Sequence, residues 1–357
     1  MKTPTTPQGD KPIQRVLDGL GMGPMGLMGL VLLLLLPLVP PFNQEYMVRW
    51  LIAAALIGAE AIAFDFTAGF INIVNFGFHA FLGVGAYTSA LLVVNLGLSP
   101  WIGIFAGAAG AALLGFFTGV ITLRLRGMFA AVMAWFVGLA LMGLATKLVW
   151  LTRGPLGLRV PRLIETESNV PYFYVIVAML VVTYLILGGI TRSRMGLAFT
   201  AIGQNMEAAR TSGINPTYYR IVNWTASCAM AGWLGGFYAH YYGVLTPDLM
   251  STAKTIEVLA IAYIGGRGSL WGGAVVAFPF ICIMETIRSG LSNLPGLHLI
   301  LYGLLLIAIM IYYPGGVAQF YRNHIAASRN RLLRSLTGRL TADPEAGDAP
   351  RCPSVTP

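Results

Sequence analysis

The sequence predicts an all-α, polytopic integral membrane protein with about ten transmembrane helices, some of them re-entrant or broken. Of its 357 residues, 56% are hydrophobic and only 10% are charged, whereas a soluble domain carries charge on about a quarter of its residues. The apolar residues also form runs of about 20, the length that crosses the hydrocarbon core of a bilayer as a helix. These observations exclude a soluble domain and a disordered chain.

Cysteine usage and charge exclude two further classes. Cys228, Cys282 and Cys352 lie far apart and few histidines accompany them, so neither a metal site nor a disulfide framework is indicated. The net charge of +9 does not indicate nucleic acid binding, because the basic residues occupy the gaps between apolar runs and the tail. There they set membrane orientation. Most fall on the side that receives the N-terminus, the loop at 191–218 and the tail, which predicts that both termini are cytoplasmic.

Charged residues, prolines and polar clusters divide the chain into ten apolar segments. The predicted spans are 24–41, 48–66, 79–95, 100–122, 128–151, 171–190, 219–242, 255–265 with its flank, 272–289 and 297–313. We therefore expect a cytoplasmic N-terminal segment at 1–23, a transmembrane domain at 24–317 and a cytoplasmic, disordered tail at 318–357.

Two regions interrupt the pattern of regular helices. Residues 67–85 are apolar enough for the bilayer but contain Asn72, Asn75, His79 and four glycines, so an unbroken helix is not expected. Non-helical backbone at membrane depth either lines a wet cavity or is buried in protein, so the segment either lines a path or packs closely through its small residues. Residues 264–273 contain five glycines and predict a tight cytoplasmic turn or a re-entrant loop.

Several polar residues occur near or within the predicted spans. Glu60 and Asp65 are intramembrane acids, which suggests a functional role, although a structural ion pair explains them equally well. Near another span boundary, His240 with Tyr241 and Tyr242 is typical of an interfacial aromatic belt.

The polar gap at 191–218 contains the signals of a short helix spanning Met206–Ser212. They are a capping amide, an acid in the first turn, two strong helix formers and a terminating glycine: Asn205, Glu207, Ala208, Ala209 and Gly213. A helix this short is only marginally stable on its own, and we therefore expect it to dock against another surface. The alternative is an amphipathic linker on the membrane, which needs large apolar residues along one face. Met206 alone meets that need.

The residues of this gap resemble the EAA---G signature of the permease subunits of ATP-binding-cassette importers. The surrounding SRMGLAFTAIGQNMEAARTSGINPTYYRIVNW is similar to permeases for branched-chain and related hydrophobic amino acids, with Leu197 where that family often has Arg. Three further blocks, 77–92, 152–161 and 260–278, extend the resemblance and favour the permease type usually called LivM. The chain departs from the family pattern at Val74, Asn75 and Phe76, which precede Gly77, and at Leu156 in the outer loop. These departures bear on the substrate, which stays open between branched-chain amino acids, amides, urea and aromatic acids.

The resemblance implies that the 205–213 helix couples the chain to an ATPase subunit. The implied coupling residues are Asn205, Glu207, Ala208, Ala209 and Gly213. The implied partners are a second homologous permease, two ATP-binding-cassette ATPase subunits, a periplasmic or tethered amino-acid-binding protein and membrane lipid. The implied location is a bacterial or archaeal inner membrane.

Neither a cofactor nor a catalytic residue is predicted in this chain. The phosphate-binding pattern G-x-x-x-x-G-K-[ST] does not occur, so ATP is expected to bind to partner subunits. A solute path needs transient polar partners, and the candidates are Asn72, Asn75, His79 and Tyr87. Two alternatives remain open from the residues: an ion-driven secondary transporter that uses Asp65, Glu60 or His79, and a membrane-embedded hydrolase or transferase.

Overall fold

A computed structural model describes residues 33–38, 44–125, 127–166, 168–290, 303, 304, 307, 311 and 315–320. The described chain is largely helical. Its α-helices are α1 (Glu45–Ala68), α2 (Phe78–Leu96), α3 (Pro100–Thr122), α4 (Met128–Lys147), α5 (Val149–Thr152), α6 (Val170–Arg192), α7 (Arg194–Gln204), α8 (Met206–Thr211), α9 (Pro216–Tyr242), α10 (Thr252–Gly265), α11 (Trp271–Gly290) and α12 (Gly316–Phe320). Short 3₁₀ helices occupy Leu36–Leu38, Gly154–Leu156 and Pro247–Met250.

Five helices, α1, α2, α3, α4 and α6, are long and apolar enough to cross a membrane. They correspond to five predicted spans, with the span at 128–151 divided between α4 and α5. Helices α9, α10 and α11 cover three further predicted spans, but α10 has only 14 residues. The spans at 24–41 and 297–313 lie mostly outside the described residues, so the total of ten stays a prediction.

Both predicted interruptions are present. Helix α1 ends at Ala68, residues 69–77 are not helical, and α2 begins at Phe78, which confirms the break. Between α10 and α11 the chain makes a tight turn at 266–270, where Gly266, Gly268 and Leu270 have positive φ. The tight turn expected for this glycine-rich block is therefore present, and its cytoplasmic location stays a prediction.

Helices α2, α3 and α9 form the most closely packed part of the bundle because glycines let their backbones touch. A Cβ atom added at Gly85 of α2 would lie 2.2 Å from Gly232 Cα of α9, and one at Gly107 of α3 would lie 2.5 Å from the Gly85 carbonyl oxygen. Small residues are the usual means of such close approach in membranes. Helix α1 packs against α6, α9, α10 and α11.

The two ends of the bundle differ in structure. At one end, here called the coupling end, the break after α1 contacts α7 and the 266–270 turn. At the opposite end, Glu45 of α1 accepts a hydrogen bond from Asn169, and strands β1 (Leu158–Arg159) and β2 (Val244–Leu245) pair antiparallel with Leu158 opposite Leu245.

His240 lies near this second end, but the prediction that it belongs to an aromatic belt is wrong. Its ring is fully buried, with Nε2 2.9 Å from Ser89 Oγ and Nδ1 2.8 Å from the Pro161 carbonyl oxygen. The two hydrogen bonds of this buried ring connect α9 to α2 and to the residues that follow β1. Such a histidine is a packing residue.

Candidate functional site

Helix α8 is built by side-chain capping at its start. Asn205 Oδ1 accepts hydrogen bonds from the backbone N–H groups of Glu207 and Ala208, both at 3.1 Å. These bonds satisfy two of the donors that every helix leaves free in its first turn. The predicted start at Met206 is confirmed, and the helix ends at Thr211, one residue before the predicted end.

The C-terminus of α8 closes through two bonds across Gly213. The N–H of Ile214 donates to the Ala209 carbonyl at 3.1 Å, and the N–H of Gly213 donates to the Arg210 carbonyl at 3.1 Å. This is the Schellman arrangement, which needs a left-handed residue after the helix. Gly213 has φ +84°, as its predicted role as terminator requires.

Most of α8 faces away from the bundle. Asn205, Glu207, Ala208 and Gly213 are exposed, whereas Ala209 is only 4% exposed and packs inward. The two alanines therefore have different roles: Ala209 seats the helix and Ala208 presents a small outer surface. Two large apolar side chains, Leu197 of α7 and Tyr218 of α9, are 72% and 58% exposed and flank the loop in sequence.

Arg220 at the start of α9 ties α8 to the end of α3. Its Nη1 donates to the Leu123 carbonyl at 3.0 Å and its Nη2 donates to the Leu125 carbonyl at 3.2 Å. Nη1 also lies 3.9 Å from Met206 Sδ. A guanidinium matches the carbonyls at a helix C-terminus in charge and geometry. Arg220 is only 6% exposed, and nothing in the sequence around it indicates that burial.

Helix α7 contacts the break that follows α1. A Cβ atom added at Gly203 would lie 2.1 Å from the Phe70 carbonyl oxygen, so the two backbones touch two residues before the cap of α8. Gly203 was not among the predicted site residues. The glycine alone gives no sign of its partner.

The break also contacts the 266–270 turn. Asp65 of α1 accepts hydrogen bonds from the N–H of Gly268 at 2.9 Å and from the N–H of Leu270 at 3.1 Å. One carboxylate thus holds the turn that precedes α11. This geometry assigns Asp65 a structural role.

Asn72 lies at this same end rather than inside the bundle. It is exposed, has φ +55°, and its Oδ1 accepts a 2.5 Å hydrogen bond from Arg267 Nη2. The Arg267 guanidinium also stands 5.4 Å from the centre of the Tyr263 ring, a cation–π distance. Asn72 and Arg267 therefore bridge the break and the turn at the coupling end.

The other three predicted path residues are buried. Asn75 is 1% exposed, His79 4% and Tyr87 5%. The Asn75 carbonyl oxygen Oδ1 accepts from the Gly77 N–H at 3.0 Å, but Asn75 Nδ2, both ring nitrogens of His79 and the Tyr87 hydroxyl have no hydrogen-bond partner among the described residues. Such groups are rare in protein interiors and call for an explanation.

These residues are distributed along the break and α2 and do not converge on one point. His79 and Tyr87 are eight residues apart in one helix, which corresponds to about 12 Å of rise. One buried acid lies beside His79: Glu60 Oε2 of α1 is 3.3 Å from His79 Nε2. The contact is too poorly aligned to be a hydrogen bond, and Glu60 Oε2 has none from any described residue.

Comparison with known proteins places the chain in a transport family. Residues 46–310 match the family described as branched-chain amino acid transport system / permease component. The chain is 26% identical over 289 residues to the high-affinity branched-chain amino acid transport system permease protein LivM of Salmonella typhimurium, covering 73% of this chain and 67% of that protein. The LivM protein of Escherichia coli matches to the same extent.

Two other relatives are similar at lower coverage or identity. LivH of Escherichia coli, also a branched-chain amino acid permease protein, is 23% identical over 71% of this chain and 89% of its own length. The nucleoside ABC transporter permease protein NupC of Lactococcus lactis subsp. cremoris is 27% identical over 53% of this chain and 67% of its own length. No solved structure shows a significant match to the chain. Since the family match extends over most of the membrane-length helices and over the gap at 191–218, this chain is a member of the branched-chain amino acid transport system permease family.

Proposed function

We propose that the chain is one membrane subunit of an ATP-driven importer for branched-chain or related amino acids. The observation that carries the proposal is α8, a short capped helix whose outer face is exposed at one end of a bundle of membrane-length helices. Its position within the family match supports its role as the helix that docks on an ATPase subunit.

The proposed partners follow from that role. A second homologous permease and two ATPase subunits complete the membrane complex, with ATP bound by the ATPase subunits, and a periplasmic or tethered binding protein delivers the amino acid. Both LivM and LivH are named as permease proteins of branched-chain amino acid transport, which supports a paired permease here. The complex spans the inner membrane with α8 and both termini on the cytoplasmic side.

Contacts at the coupling end support a route by which α8 acts on the membrane helices. Displacement of α8 moves Arg220, which holds the end of α3, and moves Gly203, which touches the break at Phe70. The break in turn touches the 266–270 turn through Asn72 and Asp65. Closure of the ATPase dimer therefore acts on α1, α2, α3 and α11 together, as a switch between inward-open and outward-open states requires.

The path proposed for the amino acid follows the break and the first half of α2, with Asn75, His79 and Tyr87 as its buried polar groups. Unpartnered polar atoms in these side chains support transient contacts with a solute. Asn72, at the coupling end, marks the exit of this path.

The test is uptake of radiolabelled L-leucine by proteoliposomes that contain the complex of this chain with its partner permease, ATPase subunits and binding protein. Uptake is expected to require ATP in the proteoliposome lumen, on the side of the membrane that α8 faces. It should persist when a protonophore collapses the proton gradient. A catalytically inactive ATPase subunit is the matched control and should abolish uptake. Uptake that continues without ATP hydrolysis and stops with the protonophore would establish an ion-driven carrier instead.

A further inference from the structure

The Glu60–His79 pair is the one place where the side chains of α1 and α2 bring a buried acid and a buried base together among the described residues. Glu60 is 2% exposed and His79 is 4% exposed, and their nearest polar atoms are 3.3 Å apart. Glu60 Oε2 and both His79 ring nitrogens make no hydrogen bond with any described residue. A buried acid and a buried base in contact are a poor source of stability even when they are well bonded, so stability does not explain this contact.

The pair lies near the middle of the bundle. Glu60 precedes the end of α1 by eight residues, which is about 12 Å of helix. The backbone N–H of His79 donates to Thr255 Oγ1 at 3.2 Å, and Thr255 precedes the end of α10 by ten residues, about 15 Å. Because a bilayer core is about 30 Å thick, both measures place the pair near mid-depth.

Two helices begin inside the bundle at this level. Helix α2 starts at Phe78 after the break, and α10 starts at Thr252 after the 3₁₀ helix Pro247–Met250. The N-termini of helices carry partial positive charge and attract carboxylates, a feature used by discontinuous helices at transport sites. The region therefore offers one buried carboxylate and two positive helix ends.

We propose that Glu60 binds the α-ammonium group of the transported amino acid, whose carboxylate faces the start of α2 beside His79. His79 stands against Glu60 between transport events and turns aside when the ammonium group arrives, so Glu60 Oε2 gains a hydrogen-bond partner with the solute. The inference rests on the proposed function and narrows its substrate class to zwitterionic amino acids. Urea and simple amides lack the ammonium group that this acid requires.

The experiment measures equilibrium binding of radiolabelled L-leucine to the purified membrane complex without its binding protein, alongside ATP-driven uptake. Glu60→Gln is expected to weaken binding and uptake by on the order of tenfold to a hundredfold, because a charge-assisted hydrogen bond becomes a neutral one. The matched control is Glu257→Gln, which removes the same charge from an acid that pairs with exposed Lys254 at 3.1 Å. It should bind leucine normally.

A double variant separates a binding role from a purely structural one. Two amides at these positions satisfy each other, so Glu60→Gln with His79→Gln should recover full binding if the pair only holds helices together. The proposal expects the double variant to assemble, as judged by co-purification with its partners, yet to bind leucine as poorly as Glu60→Gln. Normal leucine binding by Glu60→Gln or by the double variant overturns the proposal.

A competitor separates the inference from the proposed function. The probe 4-methylpentanoate has the side chain and carboxylate of leucine without its ammonium group, so it should not displace leucine from the wild-type complex. Equal displacement by this acid overturns the role of Glu60 whatever drives transport. Leucine uptake that proves independent of ATP would overturn the proposed function and leave the binding result standing.

Discussion

Replacement of Gly213 tests the coupling helix through its backbone alone. The residue has φ +84°, and no atom lies within 4 Å of a Cβ built there, so a new side chain meets no steric contact. The penalty is the cost of a left-handed conformation, about 1–2 kcal/mol for a non-glycine residue. That energy shifts the equilibrium between the docked and displaced forms of α8 by a factor of about 5–30.

The substitutions should rank by how well each residue adopts this conformation. Asn tolerates it best, Ala less well, and the β-branched Val least. We expect ATPase co-purification and leucine uptake to fall together in the order Gly213→Asn, Gly213→Ala, Gly213→Val. Helix packing and membrane insertion should be unchanged.

A matched control exists at the end of α2. Gly97 has φ +63°, also has no atom within 4 Å of a built Cβ, and also follows a helix in a left-handed conformation, but it is distant in sequence from α8 and from the gap at 191–218. Gly97→Val should carry a similar backbone cost and leave ATPase binding intact. The coupling assignment is refuted if Gly213→Val binds the ATPase and imports leucine as the wild type does.

Three further predictions concern the coupling end and its orientation. Gly203→Ala should lower uptake while the ATPase stays bound, because its Cβ would lie 2.1 Å from the Phe70 carbonyl oxygen; Gly143→Ala, with open space around it, is the control, and equal effects would argue against the α7 contact. Asp65→Asn should lower the thermal unfolding temperature, since it weakens hydrogen bonds worth about 1.5–3 kcal/mol each to charged groups; an unchanged temperature would contradict its structural role. In intact cells an impermeant thiol reagent should label Arg159→Cys but not Asn205→Cys, and labelling at position 205 would reverse the proposed orientation.

The sequence predicted the regular features of the molecule because they depend on local chemistry. The break after Ala68 follows from glycines and amides in an apolar run, and α8 follows from a capping Asn and a terminating Gly eight residues apart. Each of these signals acts within a few residues of the chain. Such features need no knowledge of tertiary contacts.

Contacts between distant segments could not be predicted in this way. Nothing near Arg220 in the sequence indicates that it reaches the carbonyls of Leu123 and Leu125, and nothing near Asn72 indicates Arg267 as its partner. Asp65 and Glu60 look alike as intramembrane acids, yet one holds a backbone turn and the other faces a histidine. The difference between their roles depends on the direction in which each side chain leaves α1. Tertiary packing sets that direction.

The glycine contacts among α2, α3 and α9 have a mechanical consequence. Where the Gly85, Gly107 and Gly232 backbones already touch, one helix cannot slide past another without first pulling away from it. We therefore expect these three helices to move as a single rigid body during the transport cycle. Distances between probes placed within the three helices should stay constant while transport proceeds.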